Sequence, residues 1–287
     1  MCVLCVYVCV CVCVCVCVCV CLCVCLCVCV CVCARPQLSA AITAASAAHA
    51  GHHHVAIFEK EATLGGNSAK ATSGMNGAGT AAQAAAGFSD SPAVFSGDTL
   101  RSGRGLCDPA LVDVLTNGSA DAVEWVSATA AVELSAVSQL GGHSRPRTHR
   151  ERDGPAGAPP KPVGFDIMRG LRARVDALAA AGTIQIMTGM RVLELHVAVG
   201  GPVTGLLASP TTAPSSLHTF GARAVVLATG GFSADNGADS LLREFAPRLA
   251  GLPTTNGAWA TGDGVRLARS VGSGLVGMEH VQVPARG

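Results

Sequence analysis

Hydrophobic positions along this chain follow two different patterns, and each predicts a different kind of segment. Residues 1–33 alternate Cys and Val almost without interruption and include no charged residue. From residue 38 onward, stretches with helical spacing of apolar residues take turns with short apolar runs, which is typical of helices packed on a parallel sheet. We therefore predict an α/β fold for the part of the chain that follows the repeat.

The second half of a βαβ unit is predicted directly after the repeat. Ser39 to Ala50 has the composition of an Ala-rich helix, and Val55 to Phe58 is a short apolar strand that leads into Glu59. A first strand and a G-x-G-x-x-G loop should precede such an acidic residue by about twenty residues. Residues 33–37 occupy that place and contain no glycine. We expect the first strand and the glycine loop to be missing. The sheet then either loses a central strand or recruits the Cys-Val run, since apolar β-branched runs suit buried parallel strands.

Further elements follow from apolar spacing and from glycine or proline boundaries. The polar, basic stretch from Gly141 to Arg152 is predicted to be a loop. The predicted elements are helix Pro109–Val126, helix Ile167–Ala181, strands Ile184–Met187, Arg191–Val197, Val203–Ala208 and Ala224–Ala228, and a last helix from Thr261–Gly264 to Val271. The apolar side of the first of these helices is assigned to Leu111, Val112, Leu115, Val123 and Val126.

The Cys-Val repeat has a genetic explanation. Fifteen of the 16 cysteines lie in it, and a TG dinucleotide tract read in triplets encodes Cys-Val. We interpret residues 1–34 as an artefact, a translated microsatellite of intronic origin joined to a coding exon. Two alternatives remain open: a membrane-spanning segment, on length and lack of charge, and a metal or redox tract, although the cysteine spacing is not a zinc pattern. A secretory signal is not indicated, because the run has no basic start and no short apolar core.

Composition excludes several classes of partner. The net charge is +1, and no basic patch or acidic tail indicates nucleic acid or a cationic partner. Cys107 is the only cysteine outside the repeat, so a disulfide framework is excluded there. The triple His52–His54 is not expected to hold a metal, because it lies at a predicted helix-to-strand turn. We expect a cytoplasmic or mitochondrial protein, with membrane association only if the Cys-Val run is a true membrane segment.

Three blocks of small and polar residues carry the strongest functional signal. They are Glu59-Lys60 with Gly65 to Thr80, then Ser138 to Arg150, then Val226 to Ser233 with Thr254 to Gly257 and Ala260 to Gly264. In this order and spacing they resemble the flavoprotein of soluble fumarate reductases, within the fumarate reductase/succinate dehydrogenase flavoprotein family. The resemblance covers about residues 38–282.

The resemblance implies a fold, domain limits and a cofactor. The fold would be a Rossmann-like FAD-binding domain that lacks its first strand and glycine loop, with part of the inserted substrate domain absent. Residues 1–34 would be the repeat, residues 35–282 a partial FAD-binding domain, and residues 283–287 a tail outside the family pattern. FAD is the implied cofactor, and the implied enzyme is an oxidoreductase acting on CH–CH groups.

Fifteen residues are placed at the cofactor by the resemblance. They are Glu59, Lys60, Gly65, Gly66, Asn67, Ser68, Ser73, Gly74, Met75, Asn76, Val192, Thr229, Gly230, Gly231 and Asp263. A carboxylate at the end of the second strand accepts ribose hydroxyls, and glycines let the backbone N–H groups approach phosphate or ribityl oxygens. The resemblance further implies that residues 73–76 lie against the flavin ring and that the backbone of Val192 meets the adenine.

Each of these assignments has a simpler alternative. Glu59 could be a charged strand end in solvent, and the glycines could form ordinary turns. Val192 could be a core residue of its strand. Asp263, between two glycines and before a helix, could serve as an N-cap.

The resemblance also implies a small dicarboxylate substrate, reduced from fumarate to succinate by hydride from reduced flavin. Arg145, Arg147 and Arg150 are candidate cationic partners for its carboxylates; the alternative is a solvated basic loop. No catalytic residue is assigned, because Pro284 stands where the family has its active-site histidine. Other family members, namely succinate dehydrogenase flavoprotein, aspartate oxidase and ketosteroid dehydrogenase, remain alternatives. So does a non-catalytic truncated or membrane-tethered product, and we expect this exact chain to fold poorly.

Overall fold

A computed structural model describes residues 29–33, 55–154 and 162–283. The predicted helix Ser39–Ala50, the region of the expected glycine loop, the triple histidine and Pro284 lie outside the described residues. The described part of the chain forms two compact units. The first contains residues 29–33, 55–67 and 174–283, and the second contains residues 68–154 and 162–173.

The described residues form ten strands and seven α-helices. The strands are β1 Cys29–Cys33, β2 Val55–Glu59, β3 Met75–Asn76, β4 Ala136–Ser138, β5 Thr148–Arg150, β6 Ile184–Thr188, β7 Met190–Val197, β8 Val203–Pro210, β9 His218–Gly221 and β10 Ala224–Ala228. The helices are α1 Ala81–Ala85, α2 Pro92–Gly103, α3 Pro109–Asn117, α4 Ser119–Ala130, α5 Val163–Ala180, α6 Leu241–Phe245 and α7 Asp263–Ser270. The predicted α/β class is confirmed.

A four-stranded parallel sheet is the centre of the first unit. Its order is β10-β1-β2-β6, so the strand from the Cys-Val repeat lies between β2 and β10. Of the two outcomes expected from the sequence, recruitment of the repeat as a central strand is the one observed. Cys33 is in register with Glu59 and with Ala228, and Glu59 with Thr188. The carboxyl ends of all four strands therefore meet at one edge.

An antiparallel sheet, β7-β8-β9, completes the first unit. Phe58, Leu206 and Leu267 belong to one buried cluster, in which Phe58 meets Phe220 edge to face at 4.8 Å between ring centroids. Burial of each large side chain of this kind contributes about 1.5–3 kcal/mol. The predicted strands of this unit are confirmed. Strand β9 was not predicted, because its four residues do not alternate between apolar and polar. Three of them are exposed in the structure.

The predicted helix Pro109–Val126 is two helices in the second unit. Asp108 caps α3 through a hydrogen bond from the N–H of Ala110. The helix is interrupted at Gly118, which lies between α3 and α4. Asn and Gly are poor helix formers, so two successive residues of this kind end the first helix. The predicted apolar side is accordingly only half right: Val112, Val123 and Val126 are buried, whereas Leu111 and Leu115 are exposed.

Helix α5 begins earlier than predicted and has a clear packing requirement. A Cβ at Gly170 would lie 1.9 Å from the carbonyl oxygen of Ala130, so only glycine permits the close approach of the two helices. The helix carries five charged residues within 18. Within the described ranges, no helix has the length and apolar character needed to cross a membrane.

Candidate functional site

A small cleft, with a volume of about 10 Å³, lies at the carboxyl edge of the parallel sheet in the first unit. Ligands of open α/β sheets bind at this edge, beyond the strand ends. Lys60 directly follows β2, Thr229 follows β10, and the turn at Gly189 joins β6 to β7. The residues that line the cleft are Phe58, Lys60, Met190, Arg191, Val192, Thr229, Asp263 and Leu267. Four of the predicted cofactor residues, Lys60, Val192, Thr229 and Asp263, are therefore brought together.

A buried cation and a carboxylate face each other in this cleft. The ammonium of Lys60 donates to the Asp263 carboxylate at 2.9 Å and to the Thr261 hydroxyl at 2.7 Å. That hydroxyl in turn donates to the other carboxylate oxygen at 2.8 Å. Burial alone would raise the pKa of Asp263, but the hydrogen bond and charge of Lys60, with smaller effects of Thr261 and Arg191, hold this pKa below its usual value. Asp263 is thus an anion at neutral pH.

The alternative role of Asp263 as an N-cap is wrong. Gly262 is the N-cap of α7, with φ of 71°, and Asp263 is the first helical residue. The N–H of Gly262 donates to the carbonyl of Gly231 at 3.1 Å. A Cβ at Gly264 would lie 1.8 Å from the Thr229 hydroxyl oxygen. The start of α7 is therefore held directly against residues 229–231, and the side chain of Asp263 is left to point into the cleft.

Glu59 lies where the sequence predicts, at the end of β2. It is 1% exposed, and its carboxylate accepts a hydrogen bond from the N–H of Glu61 at 2.9 Å. The alternative of a strand end in solvent is therefore wrong. Glu59 is not among the residues that line the cleft, and its role toward ribose stays a prediction.

The predicted phosphate-approach glycines have the expected backbone. Gly65 and Gly66 have φ of 118° and 56°, in the region that favours glycine. A Cβ at Gly65 would meet nothing within 4 Å, and the same holds at Gly231. A side chain would therefore meet no neighbour at either position, although Gly65 is buried and Gly231 only half-buried. Asn67 uses its amide oxygen within the protein, where it accepts from the N–H of Gly257 at 2.9 Å and from the Trp259 indole at 3.3 Å.

The predicted flavin-facing segment belongs to the second unit, with Ser68 at the start of that unit. Ser73 is half-buried, and Met75 and Asn76 pair with His149 and Thr148 of β5. Gly74 has φ of 126°, and a Cβ there would lie 2.4 Å from the His149 carbonyl oxygen. The Thr148 hydroxyl donates to the amide oxygen of Asn76 at 2.7 Å. These contacts fix the segment against β5 and require its glycine.

Arg147 contradicts the prediction of a solvated basic loop. Its side chain is fully buried, and residues 148–150 that follow it form β5. The guanidinium donates twice to Asp90, at 2.8 and 2.9 Å, and once to Asp98 at 2.8 Å. It also lies 4.6 Å from the centroid of the Phe95 ring. Because two protein carboxylates neutralise this cation, Arg147 is not the expected partner of a substrate carboxylate.

The other two candidate arginines differ from Arg147. Arg145 is exposed, and Arg150 pairs at the surface with Asp153 at 2.8 Å. Burial alone would raise the pKa of Asp98, but hydrogen bonds from Ser144, Arg101 and Arg147 hold it well below its usual value. Sequence reasoning missed both acidic partners of Arg147. The available signal was that Asp90 and Asp98 are the only charged residues between positions 81 and 100.

A neutral histidine completes this buried network. His149 is fully buried, with Nε2 2.7 Å from the Thr80 hydroxyl and Nδ1 2.8 Å from the Arg147 carbonyl. Burial lowers the pKa of His149, and the carbonyls of Arg147 and Met75 oppose this only in part. Nδ1 must carry the proton, since carbonyls only accept, so the Thr80 hydroxyl donates to Nε2. Over the described ranges, His, Cys, Asp and Glu form no group suited to a metal.

Comparison with known proteins identifies relatives over most of the chain. A family model described as "FAD binding domain" matches residues 38–284. Fumarate reductase 1 of Saccharomyces cerevisiae is 36% identical over 235 residues, which is 81% of this chain and 47% of that protein. Fumarate reductase of Schizosaccharomyces pombe is 35% identical over 82% of this chain and 45% of that protein. The chain thus spans about half the length of these curated relatives.

Solved structures give the same answer for the fold. The open conformation of a flavocytochrome c3 fumarate reductase aligns with a TM-score of 0.73 at 30% identity, covering 85% of this chain and 40% of that one. A 3-ketosteroid-Δ4-(5α)-dehydrogenase from Rhodococcus jostii RHA1 also has a TM-score of 0.73, at 24% identity, over 88% of this chain and 55% of that one. The second likeness concerns the fold alone.

Proposed function

Because the chain belongs to the fumarate reductase/succinate dehydrogenase FAD-binding family of oxidoreductases, we propose that it is the FAD-holding part of a fumarate reductase. The substrate would be fumarate, which is named in the relatives from Saccharomyces cerevisiae and Schizosaccharomyces pombe. Its product would be succinate. One observation supports the proposal most: the carboxyl edge of the parallel sheet gathers Lys60, Val192, Thr229 and Asp263 around a cleft, next to Glu59.

Residues of the first unit would hold FAD at several points, although residues 33–37, where the glycine loop is expected, contain no glycine. Glu59 would hold the ribose of the adenosine half, as acidic residues do at the end of a second strand. Gly65 and Gly66, both with positive φ, would supply backbone N–H donors to phosphate or ribityl oxygens. Thr229, Gly230 and Gly231, with φ of 69° at Gly230, would let the chain pass close to the cofactor. When bound and reduced, FAD would supply the hydride that the reduction requires.

The second unit holds the segment that the resemblance assigns to the flavin ring. Ser73, Gly74, Met75 and Asn76 are small or unbranched, and their backbone is held by β5. Ser68 would supply a further polar contact. The buried Arg147 network keeps β5 in place and thereby orients this segment. Binding of the substrate carboxylates is not assigned to any residue of this chain.

The decisive experiment is a test for bound flavin in the full 287-residue chain. The purified protein should be yellow and should release FAD on heating. Reoxidation of the reduced flavin by fumarate and not by crotonate, which has only one carboxylate, would extend the proposal to the substrate. Glu59→Gln should lower FAD occupancy, while Glu279→Gln, an exposed surface change, should leave it unchanged. A folded but colourless protein that takes up no FAD would favour a non-catalytic product. Flavin binding without reoxidation by fumarate would restrict the proposal to the cofactor.

A further inference from the structure

Arg191 lines the cleft but has no role in the proposed function so far. It is the second residue of β7 and follows the Gly189 turn, whose N–H donates to the Glu61 carbonyl at 3.0 Å. Its side chain is 48% exposed, and its guanidinium lies 3.7 Å from the Asp263 carboxylate. The turn therefore brings this side chain to the carboxyl edge of the sheet, next to Val192.

The charges in the cleft are unequal. Among its lining residues, Lys60 and Arg191 are cations and Asp263 is the one anion. Lys60 holds this carboxylate at 2.9 Å and Thr261 holds it at 2.8 Å, whereas Arg191 is beyond hydrogen-bond distance. The cleft thus carries one positive charge in excess, on a half-exposed guanidinium whose planar fork suits phosphate oxygens.

We propose that Arg191 is a further cofactor-binding residue, whose guanidinium contacts the adenosine monophosphate half of FAD. This inference rests on the proposed function. The assignment to this half follows from position, since Arg191 shares the strand edge with Glu59, the acidic residue that marks the ribose end of such sites. A guanidinium here would pair with the phosphate or cover the plane of the adenine, and both contacts belong to the same half of the cofactor.

The test compares ligands that contain or lack this half. In the full chain, dissociation constants would be measured by flavin fluorescence for FAD and FMN, and by displacement of FAD for AMP. Arg191→Ala and Arg191→Gln would be compared with Arg248→Ala, an exposed arginine outside the cleft. We expect both Arg191 variants to weaken FAD and AMP about tenfold, as for the loss of one charge-assisted contact. FMN affinity and the thermal midpoint should not change.

The outcomes separate this inference from the function it rests on. If wild type binds FAD and the Arg191 variants bind FAD and AMP as tightly as wild type, the inference is wrong and the proposed function stands. An equal loss for FMN and FAD would also overturn it, because the contact would not be to the adenosine half. If the folded wild-type chain binds no FAD, both proposals fail together.

Discussion

The ammonium of Lys60 lies 2.9 Å from the carboxylate of Asp263, a residue 203 positions further along the chain. The Lys60 side chain is 6% exposed and that of Asp263 is 25% exposed, so the pair is largely shielded from water. It joins the end of β2 to the start of α7, and both ends also border the cleft. The contact therefore couples the fold of the first unit to the shape of its site.

Lys60→Met should destabilise the protein by about 2–4 kcal/mol, because it leaves the Asp263 carboxylate buried without its cation. Asp263→Asn should have a similar cost. In the double variant the loss should be clearly smaller than the sum of the two single losses. Free energies of unfolding from denaturant titration give all four values. Additive losses would show that the pair is not a stabilising unit.

The stability should fall as the pH drops below about 4, the usual carboxyl pKa. A carboxylate whose pKa is lowered by folding contributes stability above its unfolded pKa, and this contribution is lost as the pH falls through the folded value. Asp263 and Asp98 both have lowered pKa values. Unfolding titrations between pH 6 and 3 should therefore give a shallower decline for Asp98→Asn than for wild type. Parallel curves would contradict the assigned shift.

Arg147→Met should be among the most harmful single changes in the second unit. It leaves Asp90 buried without a cation and Asp98 with only the largely exposed Arg101, at a cost of about 3–5 kcal/mol. The matched control is Arg150→Met, which breaks a partly exposed pair with Asp153 and should cost less than about 1 kcal/mol. Thermal melting of both variants tests this order. A loss at Arg147 no larger than at Arg150 would show that the buried network contributes little.

Gly264→Ala should disturb the start of α7, because a Cβ there would lie 1.8 Å from the hydroxyl oxygen of Thr229. We expect a loss of about 1–3 kcal/mol, the usual cost of overpacking, and weaker FAD binding. Gly237→Ala is the control, since a Cβ there meets nothing within 4 Å. Circular dichroism melts and flavin titration would compare the two. Equal behaviour of the variants would mean that the close approach is not required.

Local patterns predicted the first unit well. The strand from Val55 to Glu59 and the strand from Ala224 to Ala228 were both predicted. Short apolar runs of this kind are typical of buried parallel strands and can be identified without knowing which strands they pair with. Half of the residues that line the cleft were also named beforehand, through the resemblance to the flavoprotein family. Their pairing was not predicted: nothing in the sequence near Lys60 shows that its counter-ion is Asp263.

The second unit was harder to predict for physical reasons. Arg147 is surrounded in sequence by polar and basic residues, so its burial depends on two aspartates about fifty residues earlier. Neutralisation of the Arg147 charge by residues this far away in the chain produces no periodic sequence pattern from which it could be predicted. The helix break at Gly118 was in principle visible, but the apolar spacing on both sides of it outweighed one glycine in the prediction.

The repetitive sequence of strand β1 determines how the sheet would respond to changes in the length of the repeat. Residues 29–33 have the sequence Cys-Val-Cys-Val-Cys, and the same five-residue sequence occurs at residues 27–31 and 9–13. If the repeat shifts by two residues, it presents the same sequence to its neighbouring strands. The sequence of β1 therefore does not define its register, which β2 and β10 must define. A gain or loss of three TG units keeps the reading frame and changes the repeat by one Cys-Val pair. Alleles that differ by whole Cys-Val units would therefore have the same strand sequence between β2 and β10. Core strands with a non-repetitive sequence do not tolerate such changes in length.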